Sequence, residues 1–166
     1  FRSDENVYIE GYRWIGKQRK HKKGGGLGFF VRNDISNIVE TIDNNTEQTT
    51  EMLWIKVRTK QPTSIGFVYG IQENAKTEEV ENQFQELTTS INQYKMDSNI
   101  IVMGDLNAKL NINKPDLKQN VSRNGEYLEQ MLENTGMEAL NRMTSHSGKW
   151  TRVNRNNPTE ASVIDY

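Results

Sequence analysis

The chain has 166 residues, a formal net charge of −1, 34% hydrophobic and 26% charged residues, and no cysteine. That length suits one domain that removes roughly two-thirds of its unfolded surface from water, but so low an apolar fraction confines the core to short runs. The lack of cysteine excludes a disulfide scaffold, a thiolate metal site and a cysteine nucleophile; no apolar stretch nears the roughly 20 residues of a membrane span, and the near-zero charge argues against wrapping nucleic acid by bulk positive charge.

The first residues, Phe1 to Glu5, carry neither an initiator methionine nor a signal-peptide core, which reads as an internal piece of a longer chain. Strand patterns then dominate: Val7-Tyr8-Ile9, Tyr12 to Ile15, Gly28 to Val31, Ile38 to Ile42, Met52 to Arg58 and Ser64 to Tyr69. Leu53, Ile55 and Val57 alternate with Trp54, Lys56 and Arg58, the period of a half-buried strand. Gly24-Gly25-Gly26 and Asn44-Asn45 sit where hairpin turns are needed, because those residues reach positive φ cheaply.

From residue 77 the period changes. Thr77 is placed as an N-cap, Glu78 and Glu79 suit a helix start, and Val80, Phe84, Leu87, Ile91 and Tyr94 recur at helical spacing, which predicts an amphipathic helix over 77–95. Asn99 to Met103 is a short apolar run ending in Gly104-Asp105, the pattern of a fully buried strand that stops at a turn. After an irregular segment around Pro115 a second helix is expected at about Gly125 to Asn134, with Leu128, Met131 and Leu132 on one side. Trp150 to Val153 and Ser162 to Asp165 read as closing strands. Antiparallel strands, helix, buried strand, helix, strands is an α/β order with helices outside packed sheets.

Charge is segregated along the chain. Arg13, Lys17, Arg19, Lys20, Lys22 and Lys23 follow one another without an acid, Arg142 to Arg155 is also acid-free, and Glu73 to Glu86 carries Glu78, Glu79, Glu81 and Glu86 besides Glu73 against Lys76 alone. The acidic segment reads as a solvated helix surface; the basic ones are able to converge on one face.

The strongest chemical signal is Ile100-Ile101-Val102-Met103-Gly104-Asp105-Leu106-Asn107-Ala108. An apolar strand delivers Asp105 and Asn107 to its C-terminal end, where open α/β sheets expose their clefts, and spacing of two puts both on one side. A carboxylate and a carboxamide there are able to polarise a water and hold a phosphate or a metal's ligand shell. The alternative for the same residues is a capped turn in which both side chains bond their own backbone.

Gly104-Asp105-Leu106-Asn107-Ala108 resembles the GDFN-type motif of the endonuclease/exonuclease/phosphatase superfamily, which includes DNase I-like nucleases, apurinic endonucleases and the endonuclease domains of LINE-type retrotransposons. Other segments agree in order: Gly24 to Val31 resembles the GGxGF hairpin of the retrotransposon branch, Val68-Tyr69-Gly70 its strand ending in a catalytic tyrosine, and Lys149-Trp150-Thr151 and Ser162 to Tyr166 its late TW and IDY segments. The resemblance implies a DNase I-like four-layer α/β sandwich, two packed mixed sheets flanked by helices, with residues 1–166 forming a single partial domain. It implies Mg²⁺ (or Mn²⁺) as cofactor and DNA as partner, a reverse transcriptase in the same polyprotein, nuclear localisation and a monomer. Asp105 would orient or deprotonate the attacking water, Asn107 would hold it and a phosphate oxygen, Tyr69 would contact the scissile phosphate, Asp165 would orient a histidine, and Thr151 would hold a phosphate. Lys20, Lys22 and Lys23 would meet DNA in the substrate groove, with Arg123 and Asn124 in a similar role; an exposed helix start explains Asn124 equally as an N-cap.

The family pattern also has an early metal-binding glutamate and a terminal SDH-type motif, and neither is found here. The chain is therefore expected to be a fragment lacking both ends, with little or no hydrolytic activity. His21 and His146 have no metal-ligand spacing and read as solvated loop histidines. Gly24 to Gly28 lacks a P-loop's lysine-serine/threonine tail and reads as a turn. A non-catalytic DNA-binding module, or a phosphatase or lipid phosphodiesterase, stands as the alternative, because a phosphate-handling motif does not choose what is attached to the phosphate.

Overall fold

The structure is a computed structural model and describes residues 7–18, 25–42, 51–114, 117–142, 151–153 and 161–166. It is a mixed α/β fold in which Phe1–Tyr69 with Gln93–Met103 form one compact unit and Gly70–Asn92 with Gly104–Tyr166 a second.

In the first unit, β1 (Tyr12–Gln18) and β2 (Gly26–Arg32) form an antiparallel hairpin. Its turn includes Gly25 and Gly26 at positive φ, as the glycine run predicts. Trp14 lies across Gly16 and Gly28, where a Cβ would come within 2.4 and 2.0 Å of the indole, so the hairpin glycines make room for a ring. A 3-10 turn over Asn33–Ile38 leads into β3 (Val39–Ile42), which pairs antiparallel with β4 (Glu51–Val57), and β4 with β5 (Thr63–Tyr69). Next to β5 lies β6 (Asn99–Asp105), giving a sheet of order β3-β4-β5-β6. Asn99 N–H bonds Pro62 O at the start of the two strands and Gly70 N–H bonds Asp105 O at their end, so β5 and β6 run parallel. The hairpin packs on this sheet: Val31, Val39 and Ile55 are buried together, with Ile15, Phe29, Ile38, Val57 and Ile65 against them.

Three readings are corrected here. Val7 to Ile9 is not a strand; Tyr8 and Ile9 are exposed, and Tyr12 N–H closes a turn onto Ile9 O. β4 is not half-buried, since Met52 to Ile55 are all buried: Ile55 joins the hairpin core while Trp54, on the opposite face, meets Tyr94 at 5.0 Å between ring centroids. Nor is β6 fully buried, for Ile101 and Met103 are 45% and 40% exposed. An apolar run predicts a strand, but only the sheet order shows that this one lies at an edge, where cover on both faces is not guaranteed.

α1 (Thr77–Tyr94) matches its predicted stripe, with Val80, Phe84, Leu87, Ile91 and Tyr94 all buried and Glu78, Glu79 and Glu81 exposed. Its cap is one residue earlier than the sequence suggests: Val80 N–H bonds Lys76 O, which leaves Thr77 as the first helical residue. In the second unit, β7 (Ile112–Lys114) and β8 (Leu117–Gln119) form a small hairpin in the segment read as irregular. α2 (Arg123–Thr135) follows, with Leu128 and Met131 buried and Tyr127 stacked on Phe84 of α1. Its N-cap is Ser122, whose Oγ accepts Gly125 N–H, and not Asn124; Gly136 closes the helix in the left-handed region. The closing strands are shorter than expected, β9 (Arg152–Val153) and β10 (Ala161–Ser162), and are paired antiparallel. The Asn44-Asn45 turn and Trp150 lie outside the described residues. No helix among the described residues is long and apolar enough to cross a membrane.

Leu87 is completely buried on the α1 stripe. Leu87→Ala is expected to lower unfolding free energy by about 2–5 kcal/mol, through lost transfer energy and the cavity left behind. Urea melts with an unchanged m-value check it; a loss below about 0.5 kcal/mol, the scale of a surface change, would contradict this packing.

Candidate functional site

Within the second unit, residues 104–106 and 164–166 form a short antiparallel ladder. Gly104 and Tyr166 exchange N–H···O bonds of 2.8 and 2.9 Å, Leu106 N–H bonds Ile164 O at 3.0 Å, and Asp105 is bridged to Asp165. Gly104 has φ 134°, a conformation that side-chain-bearing residues rarely adopt, which explains the glycine of the motif. Residues directly opposed in an antiparallel pair have Cβ atoms about 5 Å apart on one face. The bridge therefore brings Asp105 and Asp165, 60 positions apart in sequence, opposite one another with their Cβ atoms on one face.

Asn107 is the only non-glycine residue with positive φ (45°) among the described residues. Three contacts hold it there: its N–H donates to Asp105 Oδ1 at 2.8 Å, its Nδ2 donates to Gly70 O at 2.7 Å, and its carbonyl accepts Asn124 Nδ2 at 3.1 Å. The first is the Asx turn of the capped-turn alternative; the second reaches across 37 residues and fixes the carboxamide so that Oδ1 faces away from Gly70 as an acceptor. Gly70 is needed in turn, because a Cβ there would lie 2.2 Å from Leu106 O.

Tyr69 is the last residue of β5 in the first unit, half-buried and opposite Glu51 in the register. Asp165 is half-buried, its carbonyl accepting Asn141 Nδ2 at 2.6 Å. Thr151 Oγ1 accepts the Ile164 and Asp165 N–H groups at 3.0 and 3.3 Å, so its hydroxyl shapes the strand that carries Asp165. Arg123 directs its guanidinium at the carbonyls of Glu73 and Ala75 while its own N–H bonds Glu73 Oε1. Asn124 is fully buried and donates to Ile71 O at 2.9 Å as well as to Asn107 O. Arg123 and Asn124 thus grip the 70–75 loop. Lys20, Lys22 and Lys23, with His21 and His146, lie outside the described residues; Arg13 and Lys17 donate to Val39 O and Met52 O.

Sequence reasoning missed Gln83, buried on α1, whose Oε1 accepts Ile71 N–H at 2.8 Å. A polar residue between Val80 and Phe84 on the apolar stripe was the available signal. Gln119 was also missed: it donates to Leu110 O and Val163 O and accepts Val163 N–H, and nothing in its local sequence marks it.

A family model described as endonuclease-reverse transcriptase matches residues 63–166, more than half of the chain. The chain belongs to this family. Its sequence matches no curated protein. Similar solved structures include D. rerio TDP2 humanized by 14 mutations, at 12% identity and TM-score 0.49, covering 93% of this chain and 59% of that one. A second is D. rerio TDP2 complexed with single strand DNA product, at 13% identity and TM-score 0.49, covering 93% and 60%. The chain thus spans about three-fifths of the length of these structures.

As donors, Asp105, Asn107 and Asp165 are hard oxygen ligands of the kind Mg²⁺ takes, an ion that keeps several waters and needs only one or two carboxylates. No group of three or more acidic, histidine or cysteine residues able to hold a metal occurs among the described residues. The set therefore fits an open, water-rich ion and not an all-protein cage.

Tyr166 closes the ladder with its phenol between Leu110 N–H and Val163 O, and burial pushes its ionisation above the usual tyrosine range. Because the folded value is raised, the stabilising contribution is complete below the unfolded tyrosine pKa and is lost as pH rises through the folded one. The urea midpoint is expected to fall in the alkaline range, and this fall should be reduced in Tyr166→Phe. An identical alkaline decline in both proteins would contradict it.

Proposed function

We propose that this domain is a DNA-nicking phosphodiesterase dependent on Mg²⁺ or Mn²⁺, the endonuclease of a retrotransposon polyprotein with a reverse transcriptase, acting in the nucleus. The carrying observation is the alignment of Asp105 and Asp165 by the bridge, with Asn107 turned beside them. Family membership supports the reaction class and the reverse-transcriptase context.

Hydrolysis needs a water aimed at phosphorus, a proton acceptor for it, and compensation for charge on the phosphoryl oxygens. Asp105 takes the proton from the attacking water. Asn107 Oδ1 accepts the water's second hydrogen bond, held in place by the Nδ2 bond to Gly70 O. Tyr69 would contact the scissile phosphate through a hydrogen bond, Asp165 would orient the histidine of the family's SDH-type motif, and without that histidine the leaving oxygen takes its proton from solvent water. Asp105 and Asp165 would hold the metal ion, which when bound neutralises charge on the phosphate. Lys20, Lys22 and Lys23 contact phosphates along the duplex, positioning it without reading its sequence.

With supercoiled plasmid and Mg²⁺ the protein is expected to give few or no nicked circles, because the family's metal-binding glutamate and SDH-type motif are not found in it, and Asp105→Ala to cut any rate that remains by roughly a hundredfold or more. Nicking that survives this change, or hydrolysis of phosphomonoesters without duplex cleavage, would overturn the assignment. Replacing Lys20, Lys22 and Lys23 with glutamine is expected to weaken duplex binding and flatten its dependence on salt, read by fluorescence anisotropy across a salt series. An unchanged salt slope would remove these lysines from the interface.

A further inference from the structure

Asn124 combines three properties. It is fully buried, its Nδ2 donates to Ile71 O and Asn107 O, and its Oδ1 is buried with no hydrogen-bond partner among the described residues. Turning the amide over would face Oδ1 toward two carbonyl oxygens, so the acceptors fix its orientation. The two carbonyls belong to the loop after β5 and the loop after β6, the two segments that follow Tyr69 and Asp105. Gln83 holds the other side of the first loop through Ile71 N–H. The second loop contains the one non-glycine residue at positive φ among those described, and Asn124 meets that residue's own carbonyl.

We infer that Asn124 is a positioning residue for catalysis: its carboxamide holds the Asn107 peptide in the left-handed conformation that aims the Asn107 side chain. The inference rests on the phosphodiesterase reading for its catalytic consequence, but not for its structural one. A short polar side chain tolerates this conformation with strain, so an external bond to the carbonyl helps keep the residue there. Without the Asn124 donors the Asn107 carbonyl loses that partner, and Asn107 Nδ2 is free to leave Gly70 O.

The test uses Asn124→Ala and the nearly isosteric Asn124→Asp, which lacks the amide donors but keeps the packing. By NMR, the Asn107 side-chain NH₂ resonances are expected to shift and its protection from exchange to fall roughly tenfold, the scale of one lost hydrogen bond, while Leu128 and Met131 amides of α2 keep theirs. In the nicking assay kcat should fall and KM for DNA stay near its parent value, the pattern of a misaimed group. In Asn124→Asp both signals should partly recover as pH is lowered, because a buried carboxyl takes up a proton and regains one donor. Asn107 resonances and exchange unchanged in the variants would overturn the inference; if Asn124→Ala does not fold, Asn124→Asp decides. Should the parent protein hydrolyse phosphomonoesters without cleaving duplex DNA, the phosphodiesterase reading falls, and the exchange measurement still decides whether Asn124 positions Asn107.

Discussion

The ladder between residues 104–106 and 164–166 is the constraint on which the candidate site depends. Two reciprocal bonds between Gly104 and Tyr166 and a third from Leu106 to Ile164 fix the register, and register in an antiparallel pair fixes which side chains share a face. A slip of one residue would turn Asp165 away from Asp105. The register is guarded from the far side as well: Tyr166 bonds Leu110 and Val163 through its phenol, and Gln119 grips Leu110 and Val163. The two aspartates are thus brought together by backbone geometry, before either side chain contributes an interaction of its own.

Much of this fold was legible because its information is local. The α1 stripe predicted five buried residues, since helical periodicity reports burial directly; the glycine run marked the β1–β2 turn because its φ values demand it. Asp105 and Asn107 were visible as a pair from their spacing, but β6 ends at Asp105 and the Asn107 side chain is placed by a left-handed turn and its bond to Gly70 O, which strand alternation does not encode. What failed was information that resides in partners. The exposure of Ile101 and Met103 depends on the place of β6 in the sheet, which an apolar run does not encode. Asn124 looked like an exposed helix start, whereas its partners lie 53 and 17 residues upstream. That Thr151 Oγ1 accepts the Ile164 and Asp165 N–H groups was likewise not readable, because those partners lie 13 and 14 residues downstream.

Charge follows the same division between local and long-range information. The acidic surface of α1 was readable as solvated, and Glu78, Glu79 and Glu81 are exposed. The basic residues nearest the first hairpin are used differently from a simple charged groove. Arg13 and Lys17 reach the backbone carbonyls of Val39 and Met52. A net charge of −1 therefore carries little information on where cations meet a substrate.

Inside the second unit, carboxamides supply hydrogen-bond partners to backbone groups of the loops, and Gln83, Gln119 and Asn124 do so while buried. Gln83 accepts Ile71 N–H, Asn107 donates to Gly70 O, Gln119 bonds three groups of Leu110 and Val163, Asn124 joins Ile71 O to Asn107 O, and Asn141 holds Asp165 O. Buried backbone groups in loops need partners, and loops have no ladder to supply them. A lysine or arginine at these positions would meet the carbonyls but would bring positive charge beside Asp105 and Asp165, compensating the carboxylates that a cation or a water is to meet. An aspartate or glutamate would oppose the carbonyl oxygens and add to the repulsion. A carboxamide, like the shorter serine and threonine hydroxyls, donates and accepts without charge and without a titration near neutral pH, and it reaches further. It holds the loops of an acidic site rigid while leaving the field of the two aspartates to act on what binds there.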